Sequence, residues 1–184
     1  MIEAAIASLA TGDPAAVSGN RIARDIGATW GAIKYQFGDI DGLWAAVLRH
    51  TAEQRGDAPA DLVPHGTLQQ RVGALVEGMW IGLRTPESLA IETLRAALPR
   101  EHVELERDYP QTAAELSSWK PVWDQACQRA FADLGVDPVK VQQVAALIPA
   151  AMRGITSERT LGTYSNLSDA RAGLIGAIVA YLHD

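Results

Sequence analysis

Apolar residues recur along the chain at the three-and-four spacing that lines one side of an α-helix, and β-rich runs are missing. Ile2, Ala5, Ile6 and Leu9 make the first stripe, closed by Gly12, Asp13 and Pro14. Ser18 is placed to cap a second helix whose inward residues are Ile22, Ala23 and Ile26, and Gly27 stands where a left-handed residue would end it. Thr29 caps a third helix with Ile33 and Phe37 on its inner side, and Gly38 stops it. Asp39 caps a fourth, striped by Ile40, Leu43, Trp44, Val47 and Leu48. Two short helices separated by a tight turn, followed at once by another, make the plan of a helix-turn-helix, which lays one helix in the DNA major groove.

The pattern then continues as a larger helical body. Gly56 to Gly66, with Pro59 and Pro64, reads as a loop. Thr67 caps a long helix carrying Leu68, Val72, Leu75, Val76, Met79 and Leu83; Thr85 and Pro86 open another with Leu89, Leu94 and Leu98. Pro99 and Pro110 bracket a charged segment with no clear period. A further helix carries Trp119, Trp123, Ala126, Cys127, Ala130, Phe131 and Leu134, with Pro121 expected to start or kink it. After Gly135 and Pro138 comes a helix with Val141, Val144, Ala145, Ile148, Met152 and Ile155, kinked at Pro149; the last runs from about Ser168 to Leu182. The fold class expected is all-α, with a helix-turn-helix domain over 1–46 and a helical body over 47–184.

Composition narrows this picture. Nearly half of the 184 residues are apolar (48%), enough for a sizeable core. No apolar run is long enough to span a bilayer and no signal peptide opens the chain, so a cytoplasmic protein is expected. The single cysteine, Cys127, among Trp123, Ala130 and Phe131, reads as a buried small hydrophobe in a reducing compartment. The net charge of −6 runs against nucleic-acid binding. The first fifty residues share that acidity: Arg21, Arg24, Lys34 and Arg49 face Glu3, Asp13, Asp25, Asp39 and Asp41.

The third helix nevertheless carries a DNA-reading constellation. With about 100° per residue and Ile33 and Phe37 inward, Tyr35 points directly outward, Gly31 and Ala32 lie beside it, and Lys34 and Gln36 flank it. Gly31 permits a close backbone approach, Lys34 can neutralise a phosphate, Tyr35 can touch a phosphate or thymine methyl, and Gln36 can pair with a base edge. Ser18 and Thr29 add neutral phosphate donors, and Asn20 and Arg21 complete the set. Trp30 falls about 40° from the buried direction, so both a core role and a DNA-facing role stay open. A three-helix unit that docks on a partner protein would show the same bare pattern.

The run Ile22-Ala23-x-x-Ile26-Gly27-Ala28-Thr29-x-Gly31-x-Ile33-x-Tyr35-x-Phe37, then Leu43, resembles the N-terminal domain of TetR-family transcriptional regulators, whose pattern is I-A-x-x-A-G-V-S-x-G-x-L-Y-x-H-F. Ile2-Glu3-Ala4-Ala5 is similar to the end of that family's first helix. The resemblance implies a homodimer that binds a palindromic operator and leaves it when a small molecule enters the C-terminal domain. Three positions depart from the family: Lys34 stands where Tyr is frequent, Gln36 where His is common, and Ile40 where a Lys usually opens the fourth helix. The pattern also begins at Ile2-Glu3, without the basic residues the family carries ahead of it; either the sequence is truncated there or its grip on DNA rests on fewer phosphate contacts. Losing roughly two or three phosphate contacts would flatten the salt dependence of binding.

For the body, the resemblance implies that the last two helices form the dimer interface, and they are rich in small residues: Ala145, Ala146, Ala150, Ala151 and Gly154, then Ala170, Ala172, Gly173, Gly176, Ala177 and Ala180. Met79, Trp80, Leu83, Trp119, Trp123 and Met152 could converge on an adaptable apolar pocket for a small effector, or fill an ordinary core. Glycine-rich phosphate loops, G-x-S-x-G and C-x-x-C are missing, and no cofactor or metal is expected. His102 and Glu106, four apart, read as a surface pair. The expected protein is a ligand-responsive transcriptional regulator, a repressor, and not an enzyme; a helical dimeric ligand-binding or interaction module with weak DNA binding is the alternative.

Overall fold

A computed structural model of the chain describes residues 1–55, 66–162 and 166–183. Among these the secondary structure is helical, without strands: α1 (Ile2–Leu9), α2 (Gly19–Asp25), α3 (Trp30–Phe37), α4 (Ile40–Arg55), α5 (Leu68–Gly82), α6 (Pro86–Ala97), α7 (His102–Asp108), α8 (Pro110–Phe131), α9 (Pro138–Leu161) and α10 (Leu167–His183). A single 3-10 turn, Pro14–Val17, precedes α2. Residues 56–65 of the expected loop lie outside the described residues.

The caps read from sequence form. Ser18 Oγ accepts the Arg21 N–H and Thr29 Oγ1 that of Ala32, each at 3.2 Å, and Asp39 Oδ1 accepts the Gly42 N–H at 2.9 Å. Thr67 and Gln70 close a reciprocal capping box on α5. Thr85 Oγ1 accepts the Ser88 N–H at 3.2 Å.

Two expectations need correction, at Pro121 and at Leu89. Pro121 does not start a helix: α8 begins at Pro110 and passes through it. The charged stretch after Pro99 holds a short helix, α7. Leu89 is 43% exposed, and the inner side of α6 is Ala90, Ile91 and Leu94. The last helix starts one residue earlier and ends one later than its pattern indicated.

The chain divides into two compact units, Met1–Gly56 with Thr85–Lys120, and Asp57–Arg84 with Pro121–Asp184. In the first, Leu9, Ile22, Ile33, Leu43, Trp44, Val47, Leu48 and Leu94 are fully buried in one core. Burial of apolar surface from several helices at once holds elements as short as α2 and α3, which are too short to be stable alone. The second core gathers Val72, Leu75, Val76, Phe131, Val144, Ile148, Met152 and Ile178. There Arg71, 5% exposed, ties α5 to the end of α8: it donates to the Gly66 and Ala130 carbonyls at 2.9 and 2.7 Å and grips both oxygens of Asp133.

Close packing at Gly42 joins three elements of the first unit. A methyl group there would sit 1.9 Å from the Phe37 carbonyl oxygen at the end of α3, and 3.6 Å from Gln111 Nε2 of α8. Gly42→Ala therefore forces backbone to move and is expected to cost about 1–3 kcal/mol in urea unfolding. Gly73→Ala, in α5 with open space at its Cβ position, is expected to leave stability unchanged or raise it by up to about 1 kcal/mol.

Cys127 is fully buried as expected, and burial, then the nearby Asp124 carboxylate, pushes its thiol up to about 12. A thiol held neutral when folded and ionising near 9 when unfolded favours the folded state below pH 9, and that advantage is lost as pH rises toward 12. At pH 8, a disulfide reagent should label Cys127 only at the rate of unfolding; fast labelling of the native protein would contradict this burial.

Candidate nucleic-acid interface

The N-terminal helices present one coherent outer face. Gly27, at φ 65°, turns the chain between α2 and α3 in the left-handed region that an L side chain rarely adopts. Ile33 is fully buried and Phe37 half-buried, which fixes the rotation of α3. Gly31, Ala32, Lys34 and Gln36 are then exposed, and Tyr35 is 95% exposed. These are the residues that the helical wheel turns away from Ile33 and Phe37. An aromatic ring standing wholly in water makes no contribution to the core, and its position suits contact with a partner.

Trp30 serves both sides of the question left open by its angle. It is 39% exposed, yet its ring lies so close over Gly19 that a Cβ there would be 3.0 Å away. Trp30 thereby helps lock α2 against α3 and keeps an edge in solvent. Beside it opens a cleft of about 330 Å³, lined by Val17, Ser18, Gly19, Asn20, Trp30, Ile40 and Tyr109. The cleft collects three expected contact residues, Ser18, Asn20 and Trp30. It also adds Tyr109, which the sequence did not single out: it lies far along the chain, in a stretch with no readable period.

Arg21 is committed elsewhere. Its Nε donates to Asp25 Oδ2 at 2.8 Å and Nη1 reaches Asp13 Oδ2 at 3.4 Å. The Ser8 hydroxyl donates to the same Asp25 carboxylate at 2.7 Å, and this bond, with Arg21, holds the Asp25 carboxyl below the usual carboxylate range. The charge of Arg21 is offset within the unit, so Lys34 carries the positive charge of the α3 face. Arg49 likewise pairs with Glu115, its Nε donating at 2.9 Å.

Five of the six residues expected to line an effector pocket, Met79, Trp80, Leu83, Trp123 and Met152, lie in the second unit; Trp119 lies in the first, packed on its core with Arg95 5.9 Å above its ring. Met152 is fully buried. Trp80 is 8% exposed and covered by guanidinium groups, Arg171 at 4.3, Arg84 at 5.4 and Arg159 at 5.8 Å from the ring centroid. A shallow cleft of the second unit, between Ala151, Gly154, Ile155, Glu158, Asn166, Leu167 and Ala170, is lined by none of the six. His102 and Glu106 are an exposed pair at 3.2 Å, and no group of three or more metal-ligating side chains occurs among the described residues.

Trp123 has a defined structural task. Pro149 lacks the N–H that would bond the Ala145 carbonyl four residues earlier, and the Trp123 indole N–H donates to that carbonyl instead, at 2.7 Å. This explains how α9 runs unbroken through Pro149. Trp123→Phe is expected to cost about 1–3 kcal/mol, from the buried carbonyl left unpaired. Adding Pro149→Ala, which restores the helical N–H, should recover most of that loss; no recovery in urea unfolding would contradict the assignment.

A solved structure of a protein from Rhodococcus sp. assigned to the TetR family of transcriptional regulators superposes with a TM-score of 0.65, covering 98% of this chain and 95% of that one at 23% identity. The fold is that of TetR-family regulators. No protein-family model matches the chain, and no curated protein matches it. No helix among the described residues is long and apolar enough to cross a membrane.

Proposed function

We propose that the protein is a ligand-responsive, DNA-binding transcriptional regulator of the TetR type: a cytoplasmic repressor that a small apolar or amphipathic molecule releases from a palindromic operator. The observation that carries this reading is the α3 face, where Gly31, Lys34, Tyr35 and Gln36 project from a helix whose other side is fixed by Ile33. Residues 1–46 act as the reader and 47–184 as the ligand-binding and dimerisation body. Ser18, Asn20, Thr29 and Trp30 contribute backbone contacts around the reading face, Lys34 a phosphate contact, and Tyr35 and Gln36 base-edge contacts.

Dimerisation through α9 and α10 is supported by the exposure of their small and apolar residues, among them Ala146, Leu147, Ala150, Gly154, Gly173, Ala177 and Ala180. Such a stripe allows close helix approach, and a two-fold dimer would set the recognition helices about 34 Å apart. The effector is proposed to bind among Met79, Trp80, Leu83, Trp123 and Met152, and to act by shifting α4. It acts only if its affinity differs between the DNA-bound and free states.

A second reading, an interaction or ligand-binding module that grips DNA weakly, is favoured by Arg21 being committed to Asp13 and Asp25 and by Ile40 where the family usually carries Lys. One titration separates them. Duplex enriched by the full-length protein from a randomised pool is titrated at several salt concentrations. Lys34→Ala with Tyr35→Ala should weaken binding by about 10- to 100-fold and reduce the salt slope by about one, with the protein still folded and dimeric. Undetectable or salt-independent binding by the unaltered protein would favour the second reading.

A further inference from the structure

Asp41, in the first turn of α4, is 4% exposed, and a buried carboxylate needs partners. It finds them some seventy residues away: Oδ2 accepts the Gln111 N–H at 2.9 Å and Oδ1 the Thr112 N–H at 2.8 Å. The fully buried Thr112 hydroxyl donates to the Asp41 carbonyl at 3.3 Å. The residue before α8 is Tyr109, whose side chain offers no carboxylate or amide oxygen to its first turn. Asp41 thus caps α8 from another helix, and its negative charge sits where the helix dipole favours it. One residue on, Gly42 lies against the Phe37 carbonyl of α3 and against Gln111. The end of α3, the start of α4 and the start of α8 therefore meet at a single joint, and the same junction delivers Tyr109 to the cleft beside Trp30 and Ile40.

We infer that Asp41 is a positioning residue for the recognition helix: by capping α8 it fixes the first turn of α4, which in turn fixes α3. The inference rests on the DNA-reading role proposed above for its functional consequence, but not for its structural one. Of the contacts that orient α3, Ile33 sets its rotation, whereas the joint at Gly42 sets where its C-terminal end stands. Loss of the Asp41 cap frees that end without removing any group from the α3 face.

The test uses the full-length protein and two isosteric variants, Asp41→Asn and Thr112→Val, with Arg71→Met as a destabilised control in the second unit. Amide hydrogen exchange without DNA is read first. Asp41→Asn should speed exchange of the Trp30–Phe37 amides about tenfold, Thr112→Val should do so more weakly, and Arg71→Met should leave these amides unchanged relative to the rest of its chain. Binding is read second, on duplex enriched by the unaltered protein: Asp41→Asn should lose about tenfold in affinity while its affinity for random-sequence duplex stays the same. Should Asp41→Asn fail to fold, Thr112→Val decides by the same readings. Unchanged α3 exchange in the folded variants, or uniform acceleration across the chain, overturns the inference. Failure of the unaltered protein to enrich any duplex would instead remove the proposed function, and the exchange measurement would still decide the role of Asp41.

Discussion

A helix of eight residues with one fully buried side chain, as α3 is, cannot hold its own position. What α3 presents therefore depends on the joint where its last carbonyl meets Gly42, and on the buried Asp41 carboxylate that ties this turn of α4 to the backbone of α8. A carboxylate buried with two N–H partners and set against a helix N-terminus is stable where a bare one would not be. The interaction is local in space and distant in sequence. It places the first half of α8 in the same compact unit as the N-terminal helices.

Charge sets the second constraint. The chain is acidic, and in the first unit Arg21, Arg49 and Arg107 pair with carboxylates of that unit: Arg21 with Asp25 and Asp13, Arg49 with Glu115, Arg107 with Asp108. Such pairs contribute little stability where solvent screens them, but they lower the positive potential a phosphate backbone would meet. The DNA contact proposed for the α3 face would lean on neutral donors and on the exposed Tyr35 ring, with Lys34 as the cation of that face.

The helical plan was legible because it rests on local rules. Ser18, Thr29, Asp39, Thr67 and Thr85 announce helix starts through bonds to amides two or three residues away, and the apolar period then gives the buried side. The outward set of α3 followed from Ile33 and Phe37 alone. What escaped was tertiary. Pro149 was legible as a special point within its helix, but not the Trp123 indole that bonds the carbonyl it frees. Trp119 and Trp123, one turn apart on α8, fall in different compact units, which divide at Pro121. Tyr109 and Asp41 carry no periodic signal at all, because their meaning comes from pairing across some seventy residues.

Selection from a randomised duplex pool by the full-length protein tests most directly the proposal that α3 reads duplex DNA. That role predicts enrichment of an inverted repeat whose half-sites lie about one helical turn apart, centre to centre, or a multiple of it. A pool that after repeated rounds is indistinguishable from its input would contradict it.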